Sequence, residues 1–283
     1  MRVSNFLFPQ STTAADDARV IDETLLEALL TDELGFDVIW LAEHHFDGIC
    51  AYVDPVSFAA ALATTTRHAK IGFAVAQMAL HHPIRMAEQI SLIDHLSKGR
   101  LTLGVGLGSN MFGEISSFGG PPDDRVRAEM LDEGLGILTG LWSGESFSFA
   151  GKHNHLDGAQ VLPSCLQKPR IPIWVAASGG RHAPMRRAAR YDGVVPVRGD
   201  LQGSLTPAQV QEMTVYIQRF RSVDEPFDVI QFGLTNGRRP FAKRAVIESY
   251  AEVGVTWWME TIPLEPQQDF EQMLQHIRLG PPT

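Results

Sequence analysis

Phe36-Asp37-Val38-Ile39-Trp40-Leu41-Ala42-Glu43-His44-His45-Phe46 is the stretch on which the reading of this chain turns. It opens with a short apolar run, β-branched and aromatic, directly after Gly35, which closes a helix-like segment. Such a run reads as a parallel strand buried on both faces. It ends in a glutamate and two histidines, which are poor packing residues. In α/β folds, ligands bind at the C-terminal ends of the strands. The stretch therefore predicts both an architecture and the position of a site.

Working outward, strand candidates at residues 3–8, 38–41, 71–75, 101–105, 171–175, 193–197, 227–232 and 256–261 alternate with helical patterns. The helices are expected at 17–34, 55–67, 84–96, 125–142, 183–189, 207–221, 242–252 and 269–277. Asp54 before Pro55 reads as an N-cap with proline at the first helical position. Eight β-then-α units predict a (β/α)8 TIM barrel forming one domain over residues 1–283. The competitor, a doubly wound open sheet, usually needs fewer units. Residues 143–170, between the fourth helix and the fifth strand, are too many for a barrel loop. Within this long insertion Phe147-Ser148-Phe149-Ala150-Gly151-Lys152 alternates and turns like a hairpin.

Composition narrows the function. The 283 residues carry a net charge of -9, which argues against a nucleic-acid partner. No run of eighteen apolar residues suggests a membrane span. The opening residues show no signal-peptide pattern. The two cysteines, Cys50 and Cys165, form neither a metal motif nor a disulfide framework, so a cytoplasmic location is expected.

Three places could carry chemistry. Along an extended strand Val38, Trp40, Ala42 and His44 share one side, so His44 and His45 should diverge. One would line a cavity and the other orient a loop, or both would simply bond backbone. The second place is Gly104-Val105-Gly106-Leu107-Gly108, whose alternating glycines let backbone approach a flat or anionic ligand, or merely relieve crowding. The following residues do not continue as a dinucleotide-binding helix. The third is Trp174-Val175-Ala176-Ala177-Ser178-Gly179-Gly180-Arg181, an apolar strand running into a turn that could cradle a phosphate. His81, His82, His153 and His155 are weaker candidates, and no metal site is expected. Trp257 and Trp258 are successive on the last strand, so one should face inward.

Taken together these residues resemble the luciferase-like flavin-dependent oxidoreductases and monooxygenases. The resemblance lies in residues 35–46, in His82-Pro83-Ile84-Arg85, in Ala87-Glu88-Gln89 and in Asp94-His95-Leu96-Ser97-Lys98-Gly99-Arg100. It continues through Phe118-Gly119, Pro172 to Ser178 and Arg187-Ala188-Ala189-Arg190-Tyr191-Asp192-Gly193-Val194. It implies a barrel that binds reduced flavin at its C-terminal face and a monooxygenase reaction with O2 on a small organic substrate. A partner reductase would supply the reduced flavin. His44 matches the family's acid–base histidine. Ala74-Val75 matches a backbone bulge behind the flavin, often with a cis peptide. Ala177, Ser178, Gly179 and Gly180 match the phosphate end, with Gly104, Gly106 and Gly108 beside the cofactor. Phe6, Phe8, Phe46 and Trp257 would line an apolar substrate pocket. Where FMN-using luciferases carry a phosphate-binding arginine this chain has Leu107, and its glycines resemble members that use the deazaflavin F420. Glu43-His44-His45-Phe46 is nearer the FMN enzymes. The readings are therefore an FMN monooxygenase and, alternatively, an F420-dependent hydride-transfer enzyme. From other classes come a metal-dependent hydrolase using Glu43, His44 and His45 with His81 or His82, and a non-catalytic flavin-binding homologue. The resemblance also implies a homodimer joined through the second and third helices.

Overall fold

Eight parallel strands close on themselves in the computed structural model, which describes residues 1–7, 17–45, 53–110, 113–199, 203–222, 225–233, 240–261 and 270–281. The ring runs β1 (Arg2–Leu7), β2 (Val38–Leu41), β3 (Lys70–Phe73), β5 (Leu101–Gly106), β8 (Ile173–Ser178), β9 (Gly193–Val197), β10 (Asp228–Gly233) and β11 (Trp257–Thr261), which pairs back onto β1. Two-residue β4 (Ala76–Gln77) continues β3 past a break and also pairs with β5. The expected (β/α)8 barrel is the fold, and the open sheet is excluded by the β11–β1 ladder.

Helices α1 (Asp17–Glu33), α2 (Pro55–Thr65), α3 (Pro83–Leu96), α5 (Asp124–Leu141), α6 (His182–Ala188), α7 (Pro207–Gln218), α8 (Pro240–Ala251) and α9 (Phe270–Ile277) follow the strands in turn, with short α4 (Glu114–Ser117) before α5. The predicted cap is present: Asp54 accepts from Ser57 N–H at 2.7 Å, with Pro55 opening α2. Lys98 and Gly99 follow α3 with φ of 57° and 79°, the left-handed turn that stops the helix.

Alternate residues on each strand serve two cores. Val3, Leu7, Ile39, Leu41, Ile71 and Phe73 face outward into the layer shared with the helices. Val38, Trp40, Trp174, Val195, Ile230, Trp257 and Met259 fill the barrel. Indoles this large need room beside them, and glycine provides it. Trp40 lies level with Gly72 on β3, and Trp174 level with Gly193 on β9. A methyl group on Gly72 would sit 2.0 Å from the Trp40 ring, and one on Gly193 2.5 Å from Trp174.

The insertion forms the expected hairpin, β6 (Phe147–Ala150) with β7 (His155–Ala159). It lies along α5, with Phe147 against Gly140 and Phe149 against Gly136. Its turn is held by the Glu133 carboxylate, which accepts the N–H groups of Lys152, His153 and Asn154. Among the described residues no helix is long and apolar enough to cross a membrane.

Candidate active site

The top of the barrel is a half-open layer. Phe6, Val75, Ala176, Ser178, Val197, Phe232 and Thr261 form a ring of half-buried, inward-facing residues at the C-terminal strand ends, above fully buried Trp40, Trp174 and Met259. The break between β3 and β4 opens into this ring. The Ala74–Val75 peptide there is cis, as the resemblance implied. β5 accommodates the bulge by carrying glycine: a methyl group on Gly104 would lie 1.9 Å from the Phe73 carbonyl oxygen, and one on Gly106 2.9 Å from Val75. These two glycines thus face the bulge itself and let the backbone of 73–75 take its place.

His44 and His45 diverge, as alternation predicted. His44 is 40% exposed at its side chain, and its Nδ1 lies 3.3 Å from Oε1 of Glu114, which is buried at the start of α4. His45 turns to Glu43, with Nε2 3.1 Å from Oε1, and packs edge-on against Phe118. His81 Nε2 reaches the same Glu43 oxygen at 2.8 Å. The Gln77 backbone N–H donates to Glu43 Oε2 at 2.5 Å. The Gln77 side-chain amide donates to the Glu43 carbonyl at 2.9 Å and to Glu114 Oε2 at 3.0 Å, joining the two carboxylates. Gly108, at φ +78°, makes room for it: a methyl group there would lie 2.6 Å from Gln77 Oε1.

Burial alone would raise the Glu43 pKa. The hydrogen bonds from His45 and His81, the charge of His81 and the Gln77 N–H outweigh burial and hold the carboxyl down at about 2. The bond to Glu43 raises the His45 pKa against the opposing effect of burial, and the charges of Glu43, Glu114 and Asp54 add to the rise. An ionised carboxylate only accepts hydrogen bonds. His45 and His81 therefore both donate through Nε2–H to one oxygen, and do not present lone pairs to a common point as metal ligands would. Among the described residues no three His, Cys, Asp or Glu side chains are grouped to hold a metal ion.

At the end of β8, where the resemblance implied a phosphate, Ser178 closes the strand and Gly180 turns the chain with φ +75°. Gly179 and Gly180 border a cavity of about 880 Å³ between α6 and α7, which is also lined by His182, Arg198, Tyr216, Arg219 and Glu212. Two expectations need correction. Ala177 is 1% exposed and packs outward against the helices, because inward positions on β8 fall at Trp174, Ala176 and Ser178; Ala176 takes the place expected of Ala177. Trp257 faces inward but at the far end of the barrel, level with Arg2 at the start of β1, so it plugs the floor and lines no substrate pocket. The Arg2 guanidinium lies 4.6 Å from its ring. Thr261 is the β11 residue that reaches the mouth. Phe6 does line it, level with Trp40 and Thr261. Phe8 and Phe46 lie outside the described residues. Glu114 and Gln77 were not singled out in the sequence, and His81 only as a weaker candidate and in the metal-dependent alternative.

The closed barrel, with a backbone bulge and His44 at its C-terminal mouth, defines a class by architecture, the (β/α)8 TIM barrels. The family model for luciferase-like monooxygenases matches residues 1–231, and the chain belongs to that family. It is 32% identical to the uncharacterized protein y4vJ of Sinorhizobium fredii, over 93% of this chain and 78% of that one. The chain spans between 36% and 49% of the length of seven further curated relatives that it matches. Its fold superimposes on the monooxygenase RslO1 of Streptomyces bottropensis with a TM-score of 0.81 at 23% identity, covering 99% and 97% of the two chains. An F420-dependent secondary alcohol dehydrogenase aligns with a TM-score of 0.76 at 14% identity, over 99% and 98%. These two likenesses are of fold.

Proposed function

We propose that the chain is a flavin-dependent monooxygenase that binds reduced FMN across the barrel mouth and acts with O2 on a small, largely apolar organic molecule. The observation that carries this is the bulge at Ala74–Val75, seated on glycines of β5 and opening into the half-buried ring that His44 adjoins. A flat ring system fits against such backbone, where a side chain on β5 would displace the bulge. Bound there, reduced flavin supplies the electrons with which O2 is activated. The protein's part is placement, exclusion of water by Phe6, Val197 and Phe232, and proton handling by His44. Ser178 and the Gly179–Gly180 turn would take the phosphate, beside the cavity that Arg198 and Arg219 line. A partner reductase would deliver reduced flavin. Two chains would associate through α2 and α3, where Leu92 and Leu96 are 53% and 38% exposed.

A second reading, hydride transfer with F420, rests on the resemblance, which matches Leu107 to the place of the FMN enzymes' arginine; Leu107 packs against the outer core. Separate titrations with FMN and F420, read by fluorescence, test the two. His44→Ala should leave cofactor binding intact and slow turnover about 10²- to 10⁴-fold. Full activity of that variant would refute the acid–base role.

A further inference from the structure

We infer that Glu114 is a positioning residue that fixes the tautomer of His44, and that Gln77 holds Glu114 in place. The inference deepens the proposed function and rests on His44 being its acid–base residue.

Each Glu114 oxygen already accepts an N–H: Oε1 from the His45 backbone at 3.0 Å, and Oε2 from Gln77 Nε2 at 3.0 Å. A carboxylate occupied in this way faces His44 Nδ1 as an acceptor, so that nitrogen carries the proton. In the neutral ring Nε2 is then the basic atom. His45 is held the other way round, with its proton on Nε2 against Glu43. Two histidines adjacent in sequence are thus set in opposite tautomers by two buried carboxylates, 4% exposed at Glu43 and 2% at Glu114.

The placement of Glu114 is built in. Gln77 follows the Ala74–Val75 bulge by two residues, and its amide spans from the Glu43 carbonyl to Glu114. The bulge, both carboxylates and both histidines are therefore one connected assembly. A proton taken up at His44 Nε2 gives an imidazolium whose Nδ1–H still donates to Glu114, which offsets the charge; the proton leaves from the same atom.

The test is the ¹⁵N spectrum of histidine-labelled full-length protein without cofactor, with the His44 signals assigned from their loss in His44→Ala. At a pH above the raised His45 value, where that ring is neutral, wild type should show the Nδ1–H form for His44 and the Nε2–H form for His45. The wild-type spectrum alone overturns the inference if His44 is Nε2–H. In Glu114→Gln the His44 tautomer should change while that of His45 stays. With reduced FMN its kcat should fall about 10²- to 10⁴-fold, as expected for a wrongly held acid–base histidine, with KM nearly unchanged. Glu114→Asp, which keeps the carboxylate, should recover part of the loss. If His44→Ala abolishes turnover but Glu114→Gln changes neither tautomer nor kcat, the positioning role is wrong and the acid–base reading stands. If His44→Ala is fully active, the acid–base reading fails, and the positioning role fails with it.

Discussion

His44 and His45 are adjacent in the chain and separate in environment, one at the barrel mouth and one clamped to Glu43. That clamp makes the site's stability depend on pH in a defined window. The Glu43 carboxyl falls from 4.5 to about 2 on folding, a difference of about 3 kcal/mol. Its contribution is present above pH 4.5 and is lost as pH falls toward 2. The His45 contribution has the opposite sign: present below its ordinary 6.5, it is lost as pH rises through its elevated folded value. Melting temperature against pH should therefore show wild type exceeding Glu43→Gln by the largest margin between about pH 4.5 and 6.5, with the margin shrinking on either side. Parallel curves would show that the clamp carries no such energy. Glu43 and His44 were legible in the sequence because they follow a recognisable strand. Glu114 and Gln77 were not, since they lie 70 and 33 residues from His44 and come together beside it only through the pairing of neighbouring strands.

At the scale of elements, the barrel interior depends on pairing large residues with none. Gly72→Ala would drive a methyl group into Trp40 and should cost about 3 kcal/mol, the upper end for overpacking, measurable by denaturant titration. An unchanged midpoint would contradict the interior packing. The seam between β1 and α1 offers a test at a charge. Glu27 is buried, and burial raises its carboxyl to about 8 despite a hydrogen bond from Asn5 at 3.1 Å. Folding therefore keeps Glu27 protonated where the unfolded chain would ionise. The resulting penalty starts above pH 4.5 and levels off near pH 8. Glu27→Gln should match wild type near pH 4 and exceed it by about 5 kcal/mol at pH 9, by the same linkage. A gain independent of pH would argue against a buried acid. Strand and helix positions were readable from periodicity, and so was the 143–170 hairpin. Which face a residue takes was less so: Ala177 and Trp257 were assigned to the cavity, but parity and depth depend on where β8 and β11 begin, which only pairing with neighbouring strands fixes.

Across the whole molecule, one end of the barrel is closed by Trp257 under Arg2 and the other opens into the ring containing Phe6, Val75 and Ser178. The histidines and buried carboxylates of the candidate site lie at the open end, as the position of Glu43-His44-His45 after the second strand implied. Association through α2 and α3 predicts a dimer by light scattering, and Leu92→Glu should yield monomers; a monomeric wild type would remove that part of the proposal. The central claim is that this mouth holds a flavin against the Ala74–Val75 bulge. The most direct test is a fluorescence titration of the purified protein with FMN and, separately, with F420, repeated on Gly104→Ala. Wild type should bind FMN saturably, and Gly104→Ala should bind it more weakly because the new methyl group displaces the Phe73 carbonyl. Binding of F420 alone would shift the reaction to hydride transfer, and binding of neither would contradict the account.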